Sequence, residues 1–279
     1  MEQEFNKYIG ISAFKSSHTI KNYKHNHKRL TDYLQMPIYE SNPDEVIEAV
    51  NSLAEKPNSR SAILNTAIVF YNMADKDIRK LTKFRADLAE LAKEEKKTID
   101  YNKGMGLPTI EQLNTYLKQL YTTERYADFI LNYLLMNYNT RNIDLDVEIV
   151  NSIHKTKADK TRNYLVVRKH DFVYIRYKYK TFKTYGVKRN TFKSILMERA
   201  IRRLREERGK DSPLFIMSNK DGTRIAESSN SNYVKHRTLG NITEGDINKI
   251  YVSHYIEDGN SKALINLSNN RGTDLQTLF

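Results

Sequence analysis

The spacing of apolar residues over the first hundred positions predicts a bundle of helices. Apolar side chains recur there at intervals of three and four residues, which places them on one face of each helix. Four such segments are separated by capping residues and prolines, and they begin near Ser17, Pro43, Ser59 and Asp77. Two glycines and a proline then interrupt the pattern. We therefore predict a helical domain over residues 1–101 and a linker over residues 102–108.

After the linker the pattern changes from helical to mixed. Thr109 is placed to cap one helix, and a strongly apolar helix follows over about residues 125–137. Runs of β-branched and aromatic residues at 163–167 and 172–177 flank a polar turn, which predicts a β-hairpin. A third strand is expected at 183–187, with helix again over 192–206 and towards the end. The prediction is a mainly α protein with a small antiparallel sheet, an α+β fold, in which residues 109–279 form the second domain.

Composition narrows the possible chemistry. The chain has 279 residues and no cysteine, which excludes disulfides, thiolate zinc sites and a cysteine nucleophile. No spacing typical of metal ligands stands out. No apolar run is long enough to span a membrane and no signal-peptide segment is evident, so an intracellular protein that does not bind membranes is expected.

Positive charge is concentrated in one part of the chain. The formal net charge is +12, and residues 155–189 contain twelve Lys and Arg against two Asp. Basic residues that alternate with aromatic and β-branched residues indicate a folded basic surface, for which nucleic acid is the natural partner. The candidate DNA contacts are a stripe on the first helix and residues of the second domain: Lys21, Lys24, Lys28, Arg29, Lys178, Lys183, His236 and Arg237.

Three segments resemble the tyrosine recombinases, also called lambda-type integrases. Arg141, followed by Asp144 and Leu145 at the end of an apolar helix, resembles the first arginine box of the family. The segment 179–186 is similar to its lysine-bearing hairpin, with Lys180 the better match and Lys183 the second choice. The segment 247–253 resembles the helix that carries the second arginine. The closest likeness is to divergent members from large DNA viruses and mobile elements.

The resemblance implies a function in DNA recombination or integration. It implies a helical core-binding domain and a catalytic domain that clamp duplex DNA, with self-association on the DNA. In that family arginines hold the phosphate, a lysine protonates the leaving oxygen and a tyrosine forms a phosphotyrosyl intermediate. That chemistry needs no metal and no cofactor, so the resemblance implies neither here. Arg141, Lys180 and Arg271 are the site residues that the resemblance implies here. We expect Arg141 and Lys180 to converge on one phosphodiester.

The resemblance fails at several positions. The family's histidine falls on Gly245, its second arginine on Asn248, and its late histidine or tryptophan on Arg271. The nucleophilic tyrosine would fall one position after Phe279. Either the sequence stops just before that tyrosine, or the protein binds DNA in an architectural or regulatory role without cleaving it.

Simpler interpretations remain open for the same residues. Arg141 can cap the helix that precedes it and pair with Asp144 or Asp146. Lys180 and Lys183 can be solvated residues of a turn. Tyr251 and Tyr255 are alternative nucleophiles, although their helical positions favour core packing. A helical protein that binds RNA or another protein is the third hypothesis.

Overall fold

A computed structural model describes residues 17–104, 106–153, 159–209 and 212–278. The chain divides into two compact units, residues 1–106 and 107–279. Each unit has a hydrophobic core of its own. No helix in the described ranges is both long and apolar enough to cross a membrane.

The described part of the first unit is helical. Its helices are α1 (Ser17–Leu34), α2 (Pro43–Leu53), α3 (Pro57–Met73) and α4 (Arg79–Gly104). Asn42 caps α2 in a reciprocal capping box with Glu45. Helix α3 begins at Pro57, two residues before the predicted Ser59, because a proline fits the first turn of a helix. Helix α4 continues to Gly104, so residues 102–104 of the predicted linker are helical.

The second unit combines helices with short strands. Its longer helices are α5 (Ile110–Thr122), α6 (Tyr126–Tyr138), α8 (Ile195–Arg208), α10 (Glu244–Glu257) and α11 (Ser261–Arg271). Its shorter helices are α7 (Phe182–Tyr185) and α9 (Asn230–Lys235). The strands are β1 (Val147–Val150), β2 (Asn163–Val167), β3 (Phe172–Arg176), β4 (Lys188–Phe192) and β5 (Leu214–Phe215).

The sheet is mixed, which corrects the antiparallel prediction while the α+β class is confirmed. Its strand order is β4-β3-β2-β1-β5, with β1 and β2 parallel and the other pairs antiparallel. The predicted strand at 183–187 is wrong. Residues 182–185 form α7 instead, and the strand begins at Lys188. Strand β1 was missed because four residues are too few to show a period.

The interior strand β3 is buried on both faces. Phe172 and Tyr174 belong to the main core with α6 and α8, whereas Val173 and Ile175 belong to a smaller cluster on the opposite face. Successive side chains of a strand point to opposite faces. Arg176 therefore lies on the face of Phe172 and Tyr174, at the end of the strand.

Candidate functional site

The β3–β4 hairpin brings two cationic side chains to one end of the main sheet face. Arg176 pairs with Lys188 in the strand register, and Phe172 pairs with Phe192 at the other end. Because side chains alternate along a strand, the face shared by these four residues is aromatic at one end and cationic at the other. Sequence alone identified neither Arg176 nor Lys188 as a site residue.

The C-terminal end of α11 meets this cationic end. The last carbonyls of a helix lack intrahelical partners and carry partial negative charge. Four consecutive carbonyls each accept a hydrogen bond from a different side chain. Lys188 Nζ donates to Asn269 O, Arg176 Nη1 to Asn270 O at 2.7 Å, Arg141 Nη1 to Arg271 O at 2.6 Å, and Thr181 Oγ1 to Gly272 O at 2.5 Å.

Arg141 is placed by the end of α6. Asn139 ends that helix in the left-handed conformation, with φ 45°, which turns the chain so that Arg141 follows in extended backbone. Burial, with the charge of Arg271 second, lowers the pKa of the Arg141 guanidinium. The side chain does cap a helix, as the simpler interpretation proposed, but that helix is α11 and not α6.

Arg271 completes a pair of guanidinium groups. Its Nη1 donates to Asn139 O at 3.4 Å, and its Nη2 lies 3.3 Å from Glu244 Oε1 at the start of α10. Arg141 thus donates to the carbonyl of Arg271, and Arg271 donates to the carbonyl of Asn139, two residues before Arg141. Sequence alignment put Arg271 in the family's late histidine position, and the structure places it beside Arg141.

Lys188 is the lysine that shares this environment. Burial and, to a lesser extent, the nearby charges of Arg176 and Arg141 lower the pKa of its ammonium to about 8, while the charge of Asp144 acts in the opposite direction. Its Nζ lies 5.6 Å from the ring centre of Tyr179 and 5.3 Å from that of Tyr185. A lysine with such a pKa is charged at neutral pH and can release its proton readily.

Arg176 is buried and supports the residues of the site. The side chains of Arg176 and Asp144 are fully buried, with Nη1 and Oδ2 3.3 Å apart. Its Nη2 donates to Asn190 Oδ1 at 2.9 Å. The buried ion pair of Asp144 is therefore with Arg176, and the nearby charge of Arg141 also acts on this carboxyl.

Lys180 and Lys183 lie in the connection between β3 and β4, and both are exposed. We call Arg141, Lys188 and Arg271 the cationic cluster. Lys180 precedes Thr181, whose side chain contacts the end of α11 beside this cluster. Within the described ranges, the lysine whose side chain contacts the end of α11 is Lys188. Arg141 and Lys188 bind neighbouring carbonyls at the end of α11, and the convergence of Arg141 with Lys180 on one phosphodiester stays a prediction.

Several basic residues proposed to bind DNA are engaged within the protein. Lys178 Nζ lies 2.6 Å from Glu227 Oε2, and Arg237 pairs with Asp128 at 3.0 Å and stacks on the ring of Tyr233. His236 is exposed. Within the segment 155–189, Arg162, Arg168 and Arg176 also have acidic partners. The charge count along the sequence therefore overstates the free basic surface.

The basic stripe of α1 is exposed in the first unit. Lys21, Lys24 and Lys28 are all exposed, and Lys28 pairs with Asp32 at 2.5 Å. Arg29 differs from them, since its Nη2 donates to the carbonyl of Leu53 at the end of α2. It holds two helices together and is only partly exposed.

The positions at which the recombinase pattern fails lie beside the cluster. Asn248 accepts a hydrogen bond from Asn139 Nδ2 at 2.5 Å, and Gly245 follows Glu244 in the first turn of α10. Tyr251 and Tyr255 line a small cavity of about 140 Å³ with Asn139 and Asn270. Burial raises the pKa of Tyr251 to about 12 and also raises that of Tyr255, which disfavours the phenolate that a nucleophile needs.

Comparison with known proteins gives a likeness to solved structures. No family model matches the chain, and no curated protein matches it. A solved structure described as "Crystal structure of XerA recombinase" is similar over 99% of this chain and 90% of its own, with 11% identity and a TM-score of 0.38.

Proposed function

We propose that residues 107–279 bind a phosphate of duplex DNA through Arg141, Lys188 and Arg271. The observation that carries the proposal is that three cationic side chains from separate parts of the chain meet at the end of α11. Both guanidinium groups and the ammonium group carry more N–H donors than their hydrogen bonds within the described residues use. The remaining donors suit phosphate oxygens.

The chemistry of the cluster favours a phosphate diester. A guanidinium can donate two parallel hydrogen bonds to phosphate, and an ammonium adds a point charge. The excess of basic residues in this part of the chain attracts a polyanion. Duplex DNA is chosen because the segments around Arg141 and the β3–β4 hairpin resemble those of tyrosine recombinases.

Binding of a labelled DNA duplex, followed by fluorescence anisotropy, tests the proposal. We expect Arg141→Ala, Lys188→Ala and Arg271→Ala each to weaken binding roughly tenfold, the size of a lost charge-assisted hydrogen bond. Lys169→Ala is the matched control. This exposed lysine lies in the β2–β3 turn, at the other end of the hairpin from Arg176.

Equal effects of Lys169→Ala and the three site variants would contradict the proposal. Competition with unlabelled duplex RNA distinguishes a DNA site from a general polyanion site. Melting temperatures of all variants show whether a loss of binding reflects a loss of fold.

Strand cleavage is a second candidate function, and the lowered pKa of Lys188 favours it. When a hydroxyl nucleophile attacks phosphorus, the bond from phosphorus to the 5′-oxygen breaks and that oxygen needs a proton. Lys188, with a pKa of about 8, can donate it, while the two arginines neutralise charge on the non-bridging oxygens. The protein then acts as a recombinase-like enzyme.

A nicked duplex that traps covalent products tests cleavage. We expect Lys188→Ala to lower the rate roughly 10²- to 10⁴-fold with an oxygen leaving group. A substrate with sulfur at the 5′ position should restore most of the rate, because a thiolate leaves without a proton. If wild-type protein gives no cleavage product, or sulfur gives no rescue, this candidate function is wrong.

A further inference from the structure

Glu244 is an acidic residue within the cationic cluster. Its side chain is 19% exposed, and its Oε1 lies 3.3 Å from Arg271 Nη2. Its Oε2 is buried and has no hydrogen-bond partner in the described ranges. A buried carboxylate oxygen without a donor is costly, so the position of Glu244 needs an explanation.

The charged groups that act on Glu244 come from three parts of the fold. Arg271 of α11 and Arg141 after α6 are cationic, and Asp144 of the adjoining 3₁₀ turn is acidic. An anion that binds Arg141 and Arg271 must therefore approach the Glu244 carboxylate closely.

We infer that Glu244 is an internal competitor for the phosphate, holding Arg271 in the free protein and releasing it when the phosphate binds. This inference rests on the proposed phosphate site. The ion pair with Glu244 compensates part of the positive charge of the two arginines when no DNA is present. DNA binding then depends on the charge of this one carboxyl group.

Electrostatics links this exchange to a proton. Two anions within a few ångströms repel each other, so a bound phosphate favours the protonated carboxyl, which no longer holds Arg271 by charge. Burial already raises the pKa of Glu244, even though Arg271 and Arg141 lower it. Protonation of this carboxyl therefore costs the free protein less free energy than protonation of an exposed glutamate would. Binding should accordingly tighten as the pH falls towards the range in which Glu244 is protonated.

Lys188 makes binding depend on pH in a different window. It loses its charge as the pH rises through about 8, which weakens binding on the alkaline side. The effect of Glu244 is therefore measured at pH 5.5 to 7.5, where Lys188 is mostly charged. The difference between wild type and a Glu244 variant removes contributions from exposed histidines.

The experiment compares Glu244→Gln with Glu257→Gln in anisotropy titrations of a DNA duplex. Glu257 is an exposed residue at the other end of α10, about 20 Å along the helix, so both variants change the net charge equally. At pH 7.5 we expect Glu244→Gln to bind roughly fivefold tighter than wild type. At pH 5.5 the advantage of Glu244→Gln over Glu257→Gln should be smaller than at pH 7.5, because the raised pKa of Glu244 favours its protonated form as the pH falls.

The outcomes separate this inference from the proposed function. If Glu244→Gln binds no tighter than Glu257→Gln while Arg141→Ala still weakens binding, the competitor role is wrong and the phosphate site stands. If Arg141→Ala and Arg271→Ala leave binding unchanged, the proposed function itself fails.

Proton uptake by the wild-type protein provides a test that needs no variant. Calorimetric titrations with DNA at pH 6.5, in buffers of different ionisation enthalpy, measure the protons taken up per duplex bound. We expect net uptake that exceeds the uptake of Glu244→Gln. No uptake by the wild type would overturn the inference.

Discussion

At the residue scale, the ion pair of Arg176 and Asp144 supports the whole site. Both side chains are fully buried, and Arg176 also donates to Asn270 O and Asn190 Oδ1. Removing one partner of a buried pair leaves the other charge uncompensated in an apolar environment. The pair thus holds the end of α11 against the sheet.

We predict that Arg176→Met lowers the free energy of unfolding by about 3–5 kcal/mol, measured by urea denaturation. Arg189→Met is the control, because Arg189 is exposed and lies opposite Ile175 on the other face of the hairpin. The double variant Arg176→Met/Asp144→Leu should recover part of the loss, since neither charge is then buried alone. A loss as small as that of Arg189→Met would show that the buried pair contributes little.

At the element scale, the end of α11 determines where the cations lie. Gly272 ends that helix at φ 64°, a left-handed conformation that favours glycine. A Cβ at this position would lie 2.8 Å from Thr181 Oγ1, 3.0 Å from Lys188 Nζ and 3.0 Å from the Tyr179 ring. The glycine is therefore needed both for its backbone and for the close approach of the hairpin.

We predict that Gly272→Ala destabilises the protein more than Gly259→Ala does. Gly259 follows α10 at φ 63° with open space around it, so its substitution costs only the backbone strain of about 1 kcal/mol. Gly272→Ala adds the displacement of Lys188 and Thr181, for a total of roughly 2–3 kcal/mol. It should also weaken DNA binding, which Gly259→Ala should leave unchanged. Thermal unfolding and anisotropy measure the two effects, and equal values for both variants would contradict the role of Gly272 in the site.

Some helices and strands can be predicted from local sequence patterns alone. The helices of the first unit and the β2–β3 hairpin follow from apolar spacing and capping residues, because their signals lie within a few neighbouring residues. Strand β1 and the start of β4 do not, since each depends on pairing with a strand beyond a longer connection. The misplaced strand at 183–187 hid the pairing of Lys188 with Arg176.

At the scale of the whole molecule, the net charge of the sequence is only partly available to a partner. Lys178, Arg224 and Arg237 are compensated by Asp146, Glu227 or Asp128. Lys21 and Lys24 in the first unit remain exposed. Composition predicted an attraction to polyanions. The ion pairs within the protein determine which basic side chains are left to attract such a partner.

The sequence by itself determined the helical first unit and the α+β class of the second, and it marked Arg141 as a candidate, because these depend on short-range periodicity and a local motif. Only the tertiary structure decided that Arg141, Lys188 and Arg271 meet at one helix end, and that Glu244 lies among them. Their positions follow from strand register and from the packing of α10 and α11, which join residues more than a hundred positions apart. No local pattern encodes such a contact, because it forms only when the complete core brings those elements together.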